Sequence, residues 1–167
     1  MNLPTRKPTR LPYYNYSTPG AYFLTLCTQD RRCILSGIVG GGALDAPHTQ
    51  LTTVGTIAQK YILSGNNIPG VTVDKFVIMP NHIHMILFVD ETACNGPSKA
   101  PAPTNAMIPL FVSTFKRFCH RDLGEAIFQR SYHDHVIRGD EDYLKIWQYI
   151  DSNPAKWQED CFYVPQP

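Results

Sequence analysis

Residues 73–89 read VDKFVIMPNHIHMILFV. Val73 to Met79 is rich in β-branched and apolar residues, Pro80-Asn81 is turn chemistry, and His82 to Val89 is apolar again except for two histidines. The stretch predicts two short strands joined by a tight turn. Side chains alternate along a strand, which sets His82 and His84 on one face and Ile83, Met85, Leu87 and Val89 on the other. Two adjacent imidazoles can clamp one cation. A bare H-x-H is more often an ordinary core or surface pair. Here it opens a very apolar strand, where an unpartnered polar group is costly to bury, so a metal ion or a phosphate is expected to meet it.

Outward from that ribbon, 21–28 (AYFLTLCT) predicts a first strand, and Val54, Ile57, Ala58, Tyr61 and Ile62 recur at helical spacing behind a Thr52 or Thr53 cap, with Gly65 as the stop. Residues 36–50 read as a glycine-rich loop with at most one short strand; Gly40-Gly41-Gly42 lacks the spacing and the lysine of a phosphate-binding loop. After the ribbon, 91–106 is rich in Pro, Ala, Ser and Gly and reads as a flexible surface loop. Ile108 to Cys119 begins a second helix, Phe128 to Arg138 reads as a fourth strand, and Asp140 to Asn153 is a helix with acids in its first turn and Pro154 beyond its end. The order β-α-β-β-α-β predicts an α+β, ferredoxin-like (RRM-like) fold: an antiparallel sheet with helices on one face, the first and third strands central, plus a C-terminal helix.

The 167 residues suit one domain, with residues 1–19 an extended basic arm. No apolar run approaches the roughly 18 residues of a spanning helix, which leads us to expect no membrane and a cytoplasmic location. Five cysteines, odd in number and without a C-x-x-C pair, point to reduced thiols rather than a disulfide framework or a cysteine zinc site. The net charge of +1 gives no global nucleic-acid signature. Cations cluster locally at Arg6, Lys7 and Arg10 and again at Lys116, Arg117 and Arg121, and a charge run of that kind is as readily a solvated helix face. On the last helix Tyr149 and Asn153 stand four apart and share a face, though helix spacing alone equally suits a half-buried aromatic and a terminal polar residue.

Three segments, MPNHIHMILFV (79–89), KRFCHRDLGEAIFQRSYHDHVIR (116–138) and DYLKIWQYIDSNPAKW (142–157), together resemble the single-tyrosine HUH transposases, in particular the REP-associated tyrosine transposase branch, over roughly Tyr13 to Trp157. The resemblance implies that His82 and His84 hold a divalent metal, magnesium or manganese, that Asn153 is a candidate third ligand, and that Tyr149 is the nucleophile. It also implies single-stranded DNA beside a hairpin as substrate, and a 5′-phosphotyrosine intermediate. Arg6, Lys7, Arg10, Lys116, Arg117, Arg121, Arg130 and Arg138 are then candidate phosphate contacts, and Tyr13, Tyr14 and Tyr16 candidate stacking platforms. His133-Asp134-His135 is a second H-x-H that rivals the first on spacing alone, with Tyr61, Tyr132 and Tyr143 as rival nucleophiles. A replication-initiator or relaxase-type nickase of the same chemistry, and a non-catalytic ferredoxin-like nucleic-acid-binding module, are the alternative functions. A monomer and a homodimer are both open, since Tyr149 could complete its own site or a partner's.

Overall fold

The computed structural model describes residues 18–42, 45–91 and 107–165. Nine regular elements follow in chain order: β1 (Gly20–Cys27), β2 (Ser36–Val39), β3 (His48–Leu51), α1 (Thr53–Leu63), β4 (Val71–Ile78), β5 (His82–Val89), α2 (Met107–Leu123), β6 (His133–Ile137) and α3 (Gly139–Ser152). The main sheet is fully antiparallel in the order β4-β5-β1-β6, the expected ferredoxin-like arrangement with β1 and β5 central.

Strand alternation decides what each face of the sheet meets. Tyr22, Leu24 and Leu26 of β1 and Ile83, Met85 and Leu87 of β5 are wholly buried against α1 and α2, whose Ala58, Ile62, Phe111 and Phe115 complete the core. The opposite face carries Phe23 and Thr25 of β1 with His82 and His84 of β5, and β6 extends it because His133 pairs with Thr25 and His135 with Phe23. Helix α3 crosses this second face. Tyr143 donates to Asp74 (2.8 Å), at the irregularity of β4 between Val73 and Lys75, and the Lys75 ammonium bonds Asp151 (2.6 Å) while lying 3.7 Å from the Trp147 ring centroid. Ile150 is the one buried residue of that helix.

Thr52 caps α1 as expected, its hydroxyl accepting from the Gly55 amide (3.1 Å). Gly55 has no alternative: a Cβ there would collide with the carbonyl of Leu35, so the close approach of helix and loop requires glycine. Two sequence expectations are corrected. Residues 36–50 contain a β2-β3 hairpin rather than a loop with one strand, held to the main sheet by Ser36 donating to the Ile78 carbonyl (2.8 Å). The fourth strand is His133–Ile137, shorter than 128–138, with only an isolated bridge between Phe128 and Thr28. The carbonyls of Gln129, Arg130 and Ser131 turn instead onto the Lys116 ammonium (2.6, 3.2 and 3.2 Å), which removes them from any ladder. The basic arm through residue 17, Tyr13, Tyr14, Tyr16 and the 92–106 loop lie outside the described residues. No helix among the described residues is long and apolar enough to cross a membrane. Cys27, Cys33, Cys119 and Cys161 are free thiols.

Candidate active site and metal centre

The two histidines are the most buried polar groups on the second face, 0% and 1% exposed. Each ring is anchored through Nδ1: His82 donates to Asn81 Oδ1 (2.9 Å), and His84 Nδ1 lies 2.9 Å from Thr25 Oγ1, its cross-strand partner. The amide oxygen of Asn81 places the His82 proton on Nδ1 and leaves its Nε2 lone pair free, the tautomer that metal-binding imidazoles use, and the Thr25 hydroxyl holds the His84 ring with its Nε2 turned to the same spot. The ring centroids are 4.4 Å apart. Burial holds both imidazoles neutral. It takes His82 down to about 4 against the pull of Asp160, and His84 well below its ordinary value, with the neighbouring His82 adding to the effect.

Three further groups close on the pair. The Tyr149 hydroxyl lies 3.2 Å from His84 Nε2, within hydrogen-bond reach, with its ring 5.1 Å from His84 and edge-on to Phe23. Asn153, just past the end of α3 and 2% exposed, donates from Nδ2 to Asp160 Oδ2 (2.9 Å). That same carboxylate oxygen lies 3.9 Å from His82 Nε2 and 3.4 Å from the Tyr149 hydroxyl. Tyr149 and Asn153 thus share a helix face, as their spacing predicted, and the face looks at the histidines.

Asp160 is the residue the sequence reading did not find. No periodicity marks it; tertiary bonds alone bring its segment here. Asn81 Nδ2 donates to the Phe162 carbonyl (2.8 Å), Arg31 donates to the Cys161 carbonyl (3.2 Å) while its guanidinium covers the Phe162 ring, and the Phe162 amide fixes Asp160 Oδ1 (2.7 Å). Asp30 and Arg31 both adopt positive φ (54° and 55°), a backbone cost that turns Arg31 toward this segment. Trp157 and Phe162 close the side of His82 (ring centroids 5.9 and 4.7 Å).

The donor set fits a divalent cation. Nitrogen or oxygen atoms of His82, His84 and Asp160 all lie within 4.8 Å of one another, the separation expected of ligands sharing one ion. Two buried acceptors at this spot, His82 Nε2 and Asn153 Oδ1, have no hydrogen-bond partner. An imidazole lone pair facing a carboxylate oxygen 3.9 Å away is a pair of donors that a cation would bridge. The surroundings also make Tyr149 a poor nucleophile unaided: burial, then the Asp160 charge, push its phenol up to about 12.

The other candidates fall elsewhere. His133 and His135 lie on the same sheet face but are exposed, and His135 Nε2 is paired with Asp142 (2.8 Å). Tyr143 is bonded to Asp74, Tyr61 to Asp122 beneath Arg121, and Tyr132 is buried in the core. Of the basic candidates, Lys116 has three carbonyls on its ammonium and Arg121 bonds Asp122 and Tyr61, while Arg117, Arg130 and Arg138 are exposed.

Compared with known proteins, a REP-associated tyrosine transposase solved bound to a REP hairpin superposes over 90% of this chain and 74% of its own, with a TM-score of 0.62 and 20% sequence identity. The likeness is one of fold: the chain shares its ferredoxin-like architecture with that transposase. A protein of Haemophilus influenzae described as uncharacterized is 33% identical over 177 aligned positions, covering 95% of this chain and 93% of its own, and the chain belongs to one family with that protein. A Deinococcus radiodurans R1 structure aligns over 89% of this chain and 97% of its own at 17% identity with a TM-score of 0.47. No protein-family profile matches the chain.

Proposed function

We propose that this protein is a metal-dependent single-stranded DNA endonuclease and strand transferase of the transposase kind, cleaving through a 5′-phosphotyrosine on Tyr149. The observation that carries the reading is the convergence on one buried spot of two imidazoles, the Asp160 carboxylate and the Tyr149 hydroxyl. The transposase of like fold is bound to a REP hairpin, which favours single-stranded DNA beside a hairpin as the substrate here.

His82, His84 and Asp160 would hold the ion, magnesium or manganese, with Asn153 Oδ1 as a further oxygen donor and Asn153 Nδ2 orienting the carboxylate. When bound, the cation supplies Lewis-acid polarisation of the scissile phosphate and favours the phenolate form of Tyr149. Thr25 and Asn81 fix the imidazole planes, and Phe23 with His84 fixes the tyrosine ring above them. The tyrosine oxygen attacks phosphorus, its proton leaving toward Asp160. The new O–P bond replaces the bond to the 3′-oxygen, which departs and takes up a proton. The energy of the broken bond is retained in the phosphotyrosine, so a second 3′-hydroxyl can reverse the step and join strands without a nucleotide cofactor.

His82→Ala and Asp160→Ala test the assignment: each is expected to abolish cleavage of a labelled hairpin oligonucleotide while hairpin binding persists. Cleavage at the wild-type rate in both would remove the metal centre from the mechanism. Binding without cleavage in the wild-type protein would favour the non-catalytic nucleic-acid-binding module.

A further inference from the structure

A second cavity, of about 550 Å³, opens between α2 and the segment running from Ala126 to Tyr132. Its floor is apolar, with Val112, Ile127 and Phe128 from the edge of the core, and its rim carries Lys116, Arg117 and Arg130. Among the described residues no carboxylate lines it, and the adjacent acid in the chain, Glu125, is paired with Arg32 (3.6 Å). Neither Arg117 nor Arg130 has a carboxylate partner among the described residues. Aromatic and aliphatic surface beneath unneutralised guanidinium groups is the chemistry that takes an unpaired base and its phosphate: the base stacks in the cleft and the arginines meet the backbone.

Its place in the fold gives the cleft a role. The Gln129 amide donates to the Cys27 carbonyl (2.9 Å), the Gln29 amide to the Ile127 carbonyl (2.7 Å), and Phe128 bridges Thr28. Cys27 is the cross-strand neighbour of His82. The cleft wall is therefore bonded to the end of the strand that lies beside the histidines, and the chain leaves it through Arg130 to His133, the partner of Thr25 next to His84. The route from the histidine face to the cleft runs around the β6 edge of the sheet, along residues 130–133.

We propose that this cleft is a subsite for an unpaired nucleotide of the single strand flanking the scissile phosphate, with Arg117 and Arg130 holding the phosphate and the Phe128 side of the floor receiving the base. The assignment rests on the DNA-cleaving reading above, and the experiment separates the two. The full chain is titrated with a fluorescein-labelled hairpin oligonucleotide bearing an unpaired flank, and with the same hairpin lacking the flank. Arg130→Glu reverses an exposed charge, and Ser113→Trp fills the cleft from an exposed position of α2.

Each variant is expected to bind the flanked probe about tenfold or more weakly, at wild-type thermal stability. The double variant should lose little beyond the worse single, and the flankless hairpin should not distinguish them from wild type. Should Ser113→Trp fail to fold, Arg130→Glu alone carries the test. Wild-type affinity for the flanked probe in the variants overturns the subsite while leaving the cleavage reading intact. If wild-type protein does not bind the oligonucleotide at all, the DNA reading falls and the subsite with it.

Discussion

The Tyr149 hydroxyl lies 3.2 Å from Nε2 of His84, so the proposed nucleophile rests on one of the atoms that would hold the metal. The phenol and a cation would compete for the same ring nitrogen. Metal addition should therefore free Tyr149 and stabilise its phenolate, lowering a value that burial and Asp160 hold at about 12. Ultraviolet difference titration of wild-type protein against Tyr149→Phe isolates this tyrosine from the other eight. Its transition should move to lower pH on addition of manganese, and an unchanged transition would separate tyrosine from metal.

Asp160→Asn tests the other half of that electrostatics. The Asp160 charge raises the Tyr149 pKa, so neutralising it should lower the tyrosine transition in metal-free protein while weakening manganese binding, read by isothermal titration. A tyrosine transition that stays put or rises, or manganese affinity equal to that of the wild type, would contradict the role assigned to the carboxylate.

The pH dependence follows from His82. Its folded value is about 4 against an unfolded value near 6.5, so between these pH values the unfolded chain binds more protons. Stability of the metal-free protein should rise with pH through that window, and acidification from about 6.5 to 4 should cost on the order of 3 kcal/mol. Above that window the imidazole stays neutral, so proton competition from His82 should not weaken manganese binding between pH 7 and 8. Chemical denaturation across the pH series, in the wild type and in His82→Gln, measures the histidine's share.

Thr25→Val removes the Nδ1 partner of His84 without touching the candidate ligands. Metal affinity should fall about 10- to 100-fold with the fold retained, the size expected when an imidazole loses the group that fixes its tautomer. Equal affinity in wild type and variant would show that strand packing alone orients the ring.

Gly55→Ala should destabilise by about 2 kcal/mol or more, because the methyl group would meet the Leu35 carbonyl and α1 would have to shift from the sheet. Thermal unfolding reads it; a neutral result would mean that the contact relaxes freely.

The particular residues show what a sequence discloses. Alternation along 82–89 announced both the core-facing row of Ile83, Met85 and Leu87 and the histidines behind it, because period two is a local property of a strand. Four-residue spacing likewise put Tyr149 and Asn153 together. Asp160 carried no such mark: it is positioned by Asn81, Arg31 and Asn153, and those bonds exist only once the fold has formed. The same limit explains the overlong fourth strand, since nothing local reveals that the carbonyls after Phe128 will turn onto Lys116, 13 to 15 residues away.

The most direct measurement is covalent capture. Wild-type protein incubated with manganese and a labelled single-stranded hairpin oligonucleotide should yield a denaturation-resistant protein–DNA adduct, mapping by mass spectrometry to the peptide containing Tyr149 and absent from Tyr149→Phe. An adduct that persists in Tyr149→Phe, or hairpin binding by wild-type protein that never yields one, would contradict the account.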